Sequence, residues 1–210
     1  MTERISKGGP FILLIGAPGS GKSHWAKKHF PRQAIVSTDS LRGLVSGDPG
    51  NQDATPYAIR ALDAVVLGRL HFRLPTVVDA TNAEPAHRQK LLSMGYGQWC
   101  PPIAVVMDTP LDVCLARNAR RPKSRRVPEA VVRDMHSRIR AEMPVESTWV
   151  PDGFSLGMWV IHGDGARVGG YVPTEYRNGR WLDAAREGGD GQFARFRGAN
   201  TARFAYGAAQ

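Results

Sequence analysis

The chain has 210 residues, 42% of them apolar and 22% charged, and its 28 Lys+Arg against 19 Asp+Glu leave a formal charge of +9. That size and balance describe one full globular domain with an appendage and exclude two domains of equal size. The longest aliphatic–aromatic run, Phe11–Ile15, is far below the roughly 20 residues that span a bilayer, and the two cysteines are too few for a zinc site or a disulfide framework.

Five short apolar runs read as buried strands: Phe11–Ile15 and residues 34–36, 76–78, 103–107 and 158–161. Helical patterns fill the spaces between them at residues 22–30, 56–72, 85–94, 110–119 and 128–142. Three of these helices open on proline (Pro56, Pro85 and Pro110), with Thr55, Asn82 and Thr109 as candidate caps just ahead. Strand–helix alternation of this kind predicts an α/β fold with a central parallel sheet covered on both faces. Ligands on such sheets bind beyond the carboxyl ends of the strands. Those ends carry Gly16, Ser37-Thr38-Asp39, Asp79-Ala80-Thr81-Asn82 and Asp108. After about residue 162 the composition shifts, and residues 163–210 hold ten of the 23 glycines and seven of the 17 aromatics. A kinase-sized domain over 1–162, with a small β-rich or partly ordered extension over 163–210, is the expected organisation.

The positive charge is concentrated. Residues 117–140 contain nine basic and two acidic side chains, a net of +7, so the other 186 residues share only +2. One basic stretch in an otherwise balanced chain suggests a phosphate-handling device, although a solvated arginine-rich helix has the same composition.

Residues 16–23, Gly-Ala-Pro-Gly-Ser-Gly-Lys-Ser, fit G-x-x-x-x-G-K-[ST] at every specified position, with a strand before and a helix after. Gly16, Gly19, Ser20 and Gly21 let the backbone curl so that its N–H groups face phosphate oxygens. Lys22 is expected to bridge the β- and γ-phosphates, and the Ser23 hydroxyl to ligate Mg²⁺. The guanine-reading N-K-x-D of GTPases is absent, which leaves a small kinase as the expected class, using ATP or another nucleoside triphosphate.

A kinase needs an acid at the acceptor, an acid behind the metal and arginines that close over the triphosphate. Asp39, expected at the end of the second strand, is the candidate for the first, and Arg42 lies three residues on, on the same face of a helical turn. The alternative is that Asp39 only caps that turn. Asp79 ends an apolar strand as an acid that supports Mg²⁺ does, whereas Asp108 is read as structural. Thr81 and Asn82 are candidates for substrate contact or for capping the next helix. Arg117 and Arg121 are four apart on one helical face, and residues 122–128 form a basic segment bounded by prolines. Together they suggest a mobile lid over about 117–143, with Arg120, Arg125 and Arg126 as further members by position.

Taken in order, GAPGSGKS, STDSLRGLVSGDPGNQDAT, VVDATN, MDTPLDVCLARNARRP and RVPEAVVRDM resemble the 5′-hydroxyl polynucleotide kinases, most of all the kinase module of bacterial RNA-repair polynucleotide kinase-phosphatases. The resemblance covers about residues 11–145. It implies triphosphate and metal binding at Lys22 and Ser23, a general base at Asp39, an acceptor-binding arginine at Arg42 and lid arginines at Arg117 and Arg121. It also implies 5′-OH DNA or RNA ends as the partners. The phosphatase motifs that accompany this module, DxDxT and GNHE, are absent from the sequence. Two other readings stay open at this point: a kinase for a nucleoside, sugar or antibiotic, and a kinase for a hydroxylated base within DNA. The extension offers either a longer nucleic-acid groove or an oligomer contact.

Overall fold

The computed structural model describes residues 9–100 and 102–142, together with the strands Met158–His162, Glu175–Arg177 and Arg180–Leu182. In chain order the elements are β1 (Phe11–Ile15), α1 (Lys22–His29), β2 (Ile35–Ser37), α2 (Thr38–Ser46), α3 (Thr55–His71), β3 (Thr76–Asp79) and α4 (Pro85–Gly97). They continue with β4 (Ile103–Asp108), α5 (Leu111–Ala119), α6 (Glu129–Glu142) and β5 (Met158–His162). β1 to β5 form one sheet in the order β2-β3-β1-β4-β5, with every neighbouring pair parallel. Within 163–210, Glu175–Arg177 (β6) pairs antiparallel with Arg180–Leu182 (β7); the rest of that segment lies outside the described residues.

A strand buried on both faces must send alternate side chains to opposite layers, and β1 does so. Phe11, Leu13 and Ile15 join Val36, Val78, Ala104 and Val106 against Leu62, Val66 and Leu70 of α3, Leu91 and Leu92 of α4, and Ile139 of α6. Ile12 and Leu14 join Val77, Val105 and Met107 against Trp25 and Ala26 of α1, with Phe30 and Ala34. The i, i+4, i+8 spacing of Leu62, Val66 and Leu70 sets one stripe of α3 on the sheet, and all three are fully buried. Each such side chain contributes roughly 1.5–3 kcal/mol by leaving water. A third, smaller cluster of Ala17, Cys114 and Val132, with Leu111, Leu115 and Val127 packed against it, joins the phosphate loop to α5 and α6.

The helix starts differ from the expectation. The N-cap residues of α3, α4 and α5 are Ala54, Glu84 and Pro110, and none makes a side-chain cap bond. Thr55 is already helical, and its buried hydroxyl has no partner. Asn82 and Thr109 are drawn instead into tertiary hydrogen bonds, to the Leu14 carbonyl at 2.7 Å and the Ser20 carbonyl at 2.8 Å. The first holds the strand that leads into the phosphate loop and the second holds the loop itself, so tertiary structure claims the side chains that local pattern assigns to caps. Among the described residues no helix is long and apolar enough to cross a membrane.

Arg88 of α4 is fully buried. One of its nitrogens donates to the carbonyls of Asn82 (3.0 Å) and Ala83 (2.9 Å), and the other donates to Glu142 at 2.8 Å. This guanidinium ties the end of α6 to the loop that follows β3. Arg88→Ala strips three buried or half-buried acceptors of their donor and is expected to cost about 3–5 kcal/mol. Urea unfolding checks this through a lower midpoint at unchanged slope.

Candidate active site

The phosphate loop leaves the carboxyl end of β1 and enters α1. Its curl requires left-handed backbone at Gly19 (φ 87°) and Gly21 (φ 99°), where a side chain would be strained. At Gly19 a Cβ would also overlap the carbonyl of Cys114, so α5 can sit on the loop only because residue 19 has no side chain. The loop is pinned from behind on both sides. Gly16 N donates to the Thr81 carbonyl at 3.1 Å, and Thr109 Oγ1 donates to Ser20 O. His136 Nε2 lies 3.0 Å from the Thr109 carbonyl and extends this chain of contacts into α6.

Lys22, 8% exposed, folds back into the loop. Its ammonium donates to the carbonyls of Gly16 (2.7 Å) and Ala17 (2.9 Å) and faces Ser20 Oγ at 3.4 Å. Burial, with Arg121 adding to it and Asp79 opposing it, lowers its pKa to about 8. A triphosphate placed on the loop would supply the anions this cation lacks.

Asp79 closes β3 and is buried. Burial raises its pKa; a hydrogen bond from the Ser23 side chain and the charge of Lys22 oppose the rise, and Asp39 adds to it. A hydroxyl and a carboxylate already in contact beside a phosphate loop form an oxygen donor pair suited to Mg²⁺, which usually shares its shell between protein and substrate phosphates. Among the described residues no group of three or more His, Cys, Asp or Glu could hold a metal. Any Mg²⁺ here would complete its shell with water or phosphate oxygens.

Asp39 lies in the first turn of α2, two residues past the end of β2, and not at the strand end as expected. Its side chain is 44% exposed and one oxygen is paired with Arg42, which is only 11% exposed. Arg42 is fixed in turn by a 3.0 Å bond from Nε to the Pro49 carbonyl. Arg125 approaches the other Asp39 oxygen at 3.6 Å.

The basic segment forms a helix–turn–helix of α5, a short 3₁₀ turn at Lys123–Arg125, and α6. Arg117 Nη1 reaches the Gly19 carbonyl at 3.5 Å, and Arg121 acts on Lys22. Arg126 bonds the Arg121 carbonyl at 3.2 Å, and Arg120 is exposed. Asn118 clasps the turn shut, donating to Val127 O (2.7 Å) and accepting from Val127 N (3.1 Å). Asp108 accepts from Arg140 at 2.9 Å, consistent with a structural part. Thr81 is partly exposed at the sheet edge, so its side chain stays available to a ligand. Asn82 is 2% exposed with its amide on Leu14, which takes it away from substrate contact. Thr109, His136 and Asn118 escape sequence reading because each acts through a partner distant in the chain or hidden inside a turn.

A search of curated proteins gives no significant match. Among solved structures, the chain is similar to one in the Pnkp1/Rnl/Hen1 RNA repair complex, with 20% identity, a TM-score of 0.59, and coverage of 74% of this chain and 53% of that one. It thus spans about half the length of that chain. It is also similar to a chain from the PezAT chromosomal toxin-antitoxin system of Streptococcus pneumoniae (14% identity, TM-score 0.56, covering 77% and 71%). A sugar kinase from Janibacter sp. HTCC2649 gives 16% identity and a TM-score of 0.50, covering 74% and 86%. At these identities the likeness establishes the fold and leaves the acceptor open. The family model described as an AAA domain matches residues 11–142, the span from β1 to the end of α6, and the chain belongs to that family as a P-loop kinase domain.

Proposed function

We propose that this kinase transfers the γ-phosphate of ATP to the 5′-hydroxyl end of DNA or RNA, in nucleic-acid repair. The observation that carries the reading is the half-exposed Asp39 carboxylate, held by Arg42 and close enough to act on both Lys22 and Asp79. A carboxylate so placed can accept the proton of a hydroxyl brought against the γ-phosphate. The resemblance through residues 37–55 supports a polynucleotide acceptor, as does the likeness in fold to a chain of an RNA repair complex.

In this reading the loop amides and Lys22 hold the donor phosphates. Ser23 and Asp79 would hold Mg²⁺, which when bound neutralises charge on the β- and γ-phosphates. Asp39 takes the proton of the 5′-hydroxyl as its oxygen bonds to the γ-phosphorus. The bond from that phosphorus to the β–γ bridging oxygen breaks, and ADP departs. Arg42 orients the terminal nucleotide through its phosphate. Arg117 and Arg121 sit where charge develops on the transferred group, and Arg126 keeps their turn in place.

Labelled γ-phosphate is expected to appear on 5′-OH oligonucleotides and not on 5′-phosphorylated controls; absence of label on every 5′-OH end overturns the reading. Asp39→Asn is expected to retain ATP binding and to lose transfer by roughly 10²–10⁴-fold, measured as single-turnover rate beside nucleotide affinity. Gly19→Ala strains the loop and lifts α5 from it, so ATP affinity is expected to fall by at least about a hundredfold in a titration, since a strained, misaligned loop loses several phosphate bonds together. Polymer binding through several phosphates should weaken with salt at a log–log slope near −0.7 per contact. A flat response would point to a small acceptor instead.

A further inference from the structure

Asp39 and Gly50 are more than 70 residues from Ser124 and Arg125 of the lid, yet the two segments meet at two points. At the first, Arg125 Nη2 faces Asp39 Oδ2 at 3.6 Å. At the second, Gly50 lies so close to Ser124 that a Cβ at residue 50 would overlap the Ser124 carbonyl. Gly50 is itself positioned, its N–H donating to Asp48 Oδ1 at 2.8 Å. The contacts close a ring: Asp39 to Arg42, Arg42 to the Pro49 carbonyl, Gly50 against Ser124, and Arg125 back to Asp39.

The two guanidiniums on Asp39 are not equivalent. Arg42 is 11% exposed and fixed by Pro49, whereas Arg125 is 53% exposed and stands at 3.6 Å, beyond hydrogen-bond reach. Each carboxylate oxygen faces a guanidinium, and a hydroxyl that approaches Oδ2 from the side of Arg125 meets the more loosely held of the two. We propose that Arg125 is a positioning residue that tethers the lid to the acceptor carboxylate while the acceptor site is empty, and that the acceptor hydroxyl displaces it from Asp39 Oδ2. Acceptor arrival and release of the lid are then one event, because the 3.6 Å between Arg125 and Asp39 Oδ2 leaves no room for a hydroxyl between them. The Gly50–Ser124 seat gives the tether its register. The exchange of partners rests on the kinase reading of Asp39; the tether itself does not.

Two measurements on the full chain separate these levels. The first is limited trypsin digestion, in which residues 120–126 supply four cleavable basic side chains, Arg121 being shielded by Pro122. Both Gly50→Ala, which unseats Ser124, and Arg125→Ala, which leaves three of the four sites, are expected to raise the initial cleavage rate there roughly three- to tenfold, as local opening becomes easier. Unchanged cleavage in both variants overturns the tether. The second is steady-state transfer to a 5′-OH oligonucleotide. Arg125→Ala removes the resident competitor of the hydroxyl and is expected to lower acceptor KM roughly three- to fivefold, the scale of an exposed ion pair. Arg125→Lys is expected to restore the higher KM. A raised KM in Arg125→Ala makes the residue a substrate ligand and overturns the displacement. Should no variant or parent transfer phosphate to 5′-OH ends, the function proposed above fails, while the digestion result still decides the tether.

Discussion

The phosphate loop is a tightly curled backbone held in place from behind, and the arrangement of the strands around β1 serves that constraint. Two glycines with positive φ permit the curl, but permission is not rigidity. Rigidity comes from acceptors and donors supplied by neighbouring strands: Thr81 O for Gly16 N, Thr109 for Ser20 O, and the Asn82 amide for Leu14 O. Each of these residues follows the carboxyl end of a strand that flanks β1 in the sheet. The strand order β2-β3-β1-β4-β5 thereby places the loop between its two supports. Burial of Lys22 within the same loop leaves a desolvated cation that lacks full compensation, the electrostatic condition for a site that favours a polyphosphate.

Much of this was legible in the residues. The strand Phe11–Ile15 was readable to the residue, because a run of aliphatic side chains ending in the first glycine of the phosphate motif leaves no other assignment. Helix ends were legible to within a few residues, but their capping was not. Thr109 and Asn82 have the chemistry of N-caps, and whether such a side chain bonds its own helix or a distant carbonyl depends on what the fold brings near it. Asp39 was identified by its acid and by the Arg42 spacing, yet β2 ends earlier and the acid is carried on a helical turn. Arg88 left no signal at all: an arginine on an amphipathic helix ordinarily faces water, and only the convergence of α4, α6 and the loop after β3 buries it. The pairing of Arg125 with Asp39 was equally invisible, since it crosses from lid to acceptor segment.

In the proposed function the site draws on two parts of the chain. β1, the loop and the lid that follows β4 would arrange the donor side. The segment between β2 and β3, carrying α2 and α3, would arrange the acceptor side, and it packs mainly through the stripe of Leu62, Val66 and Leu70. α2 contributes little to the main core: Thr38 is its buried residue, Leu41 is partly buried against the sheet-side cluster, and Leu44 and Val45 are exposed.

This division has an evolutionary consequence. A helix that adds little to the core can change its surface, length or charge while the parallel sheet and donor loop stay intact, because few of its side chains are needed for folding. Sequence drift between residues 38 and 54 can therefore redirect the framework toward a new acceptor at low cost in stability. The boundary condition is geometric: whatever occupies position 50 must remain small enough to leave room for the Ser124 carbonyl.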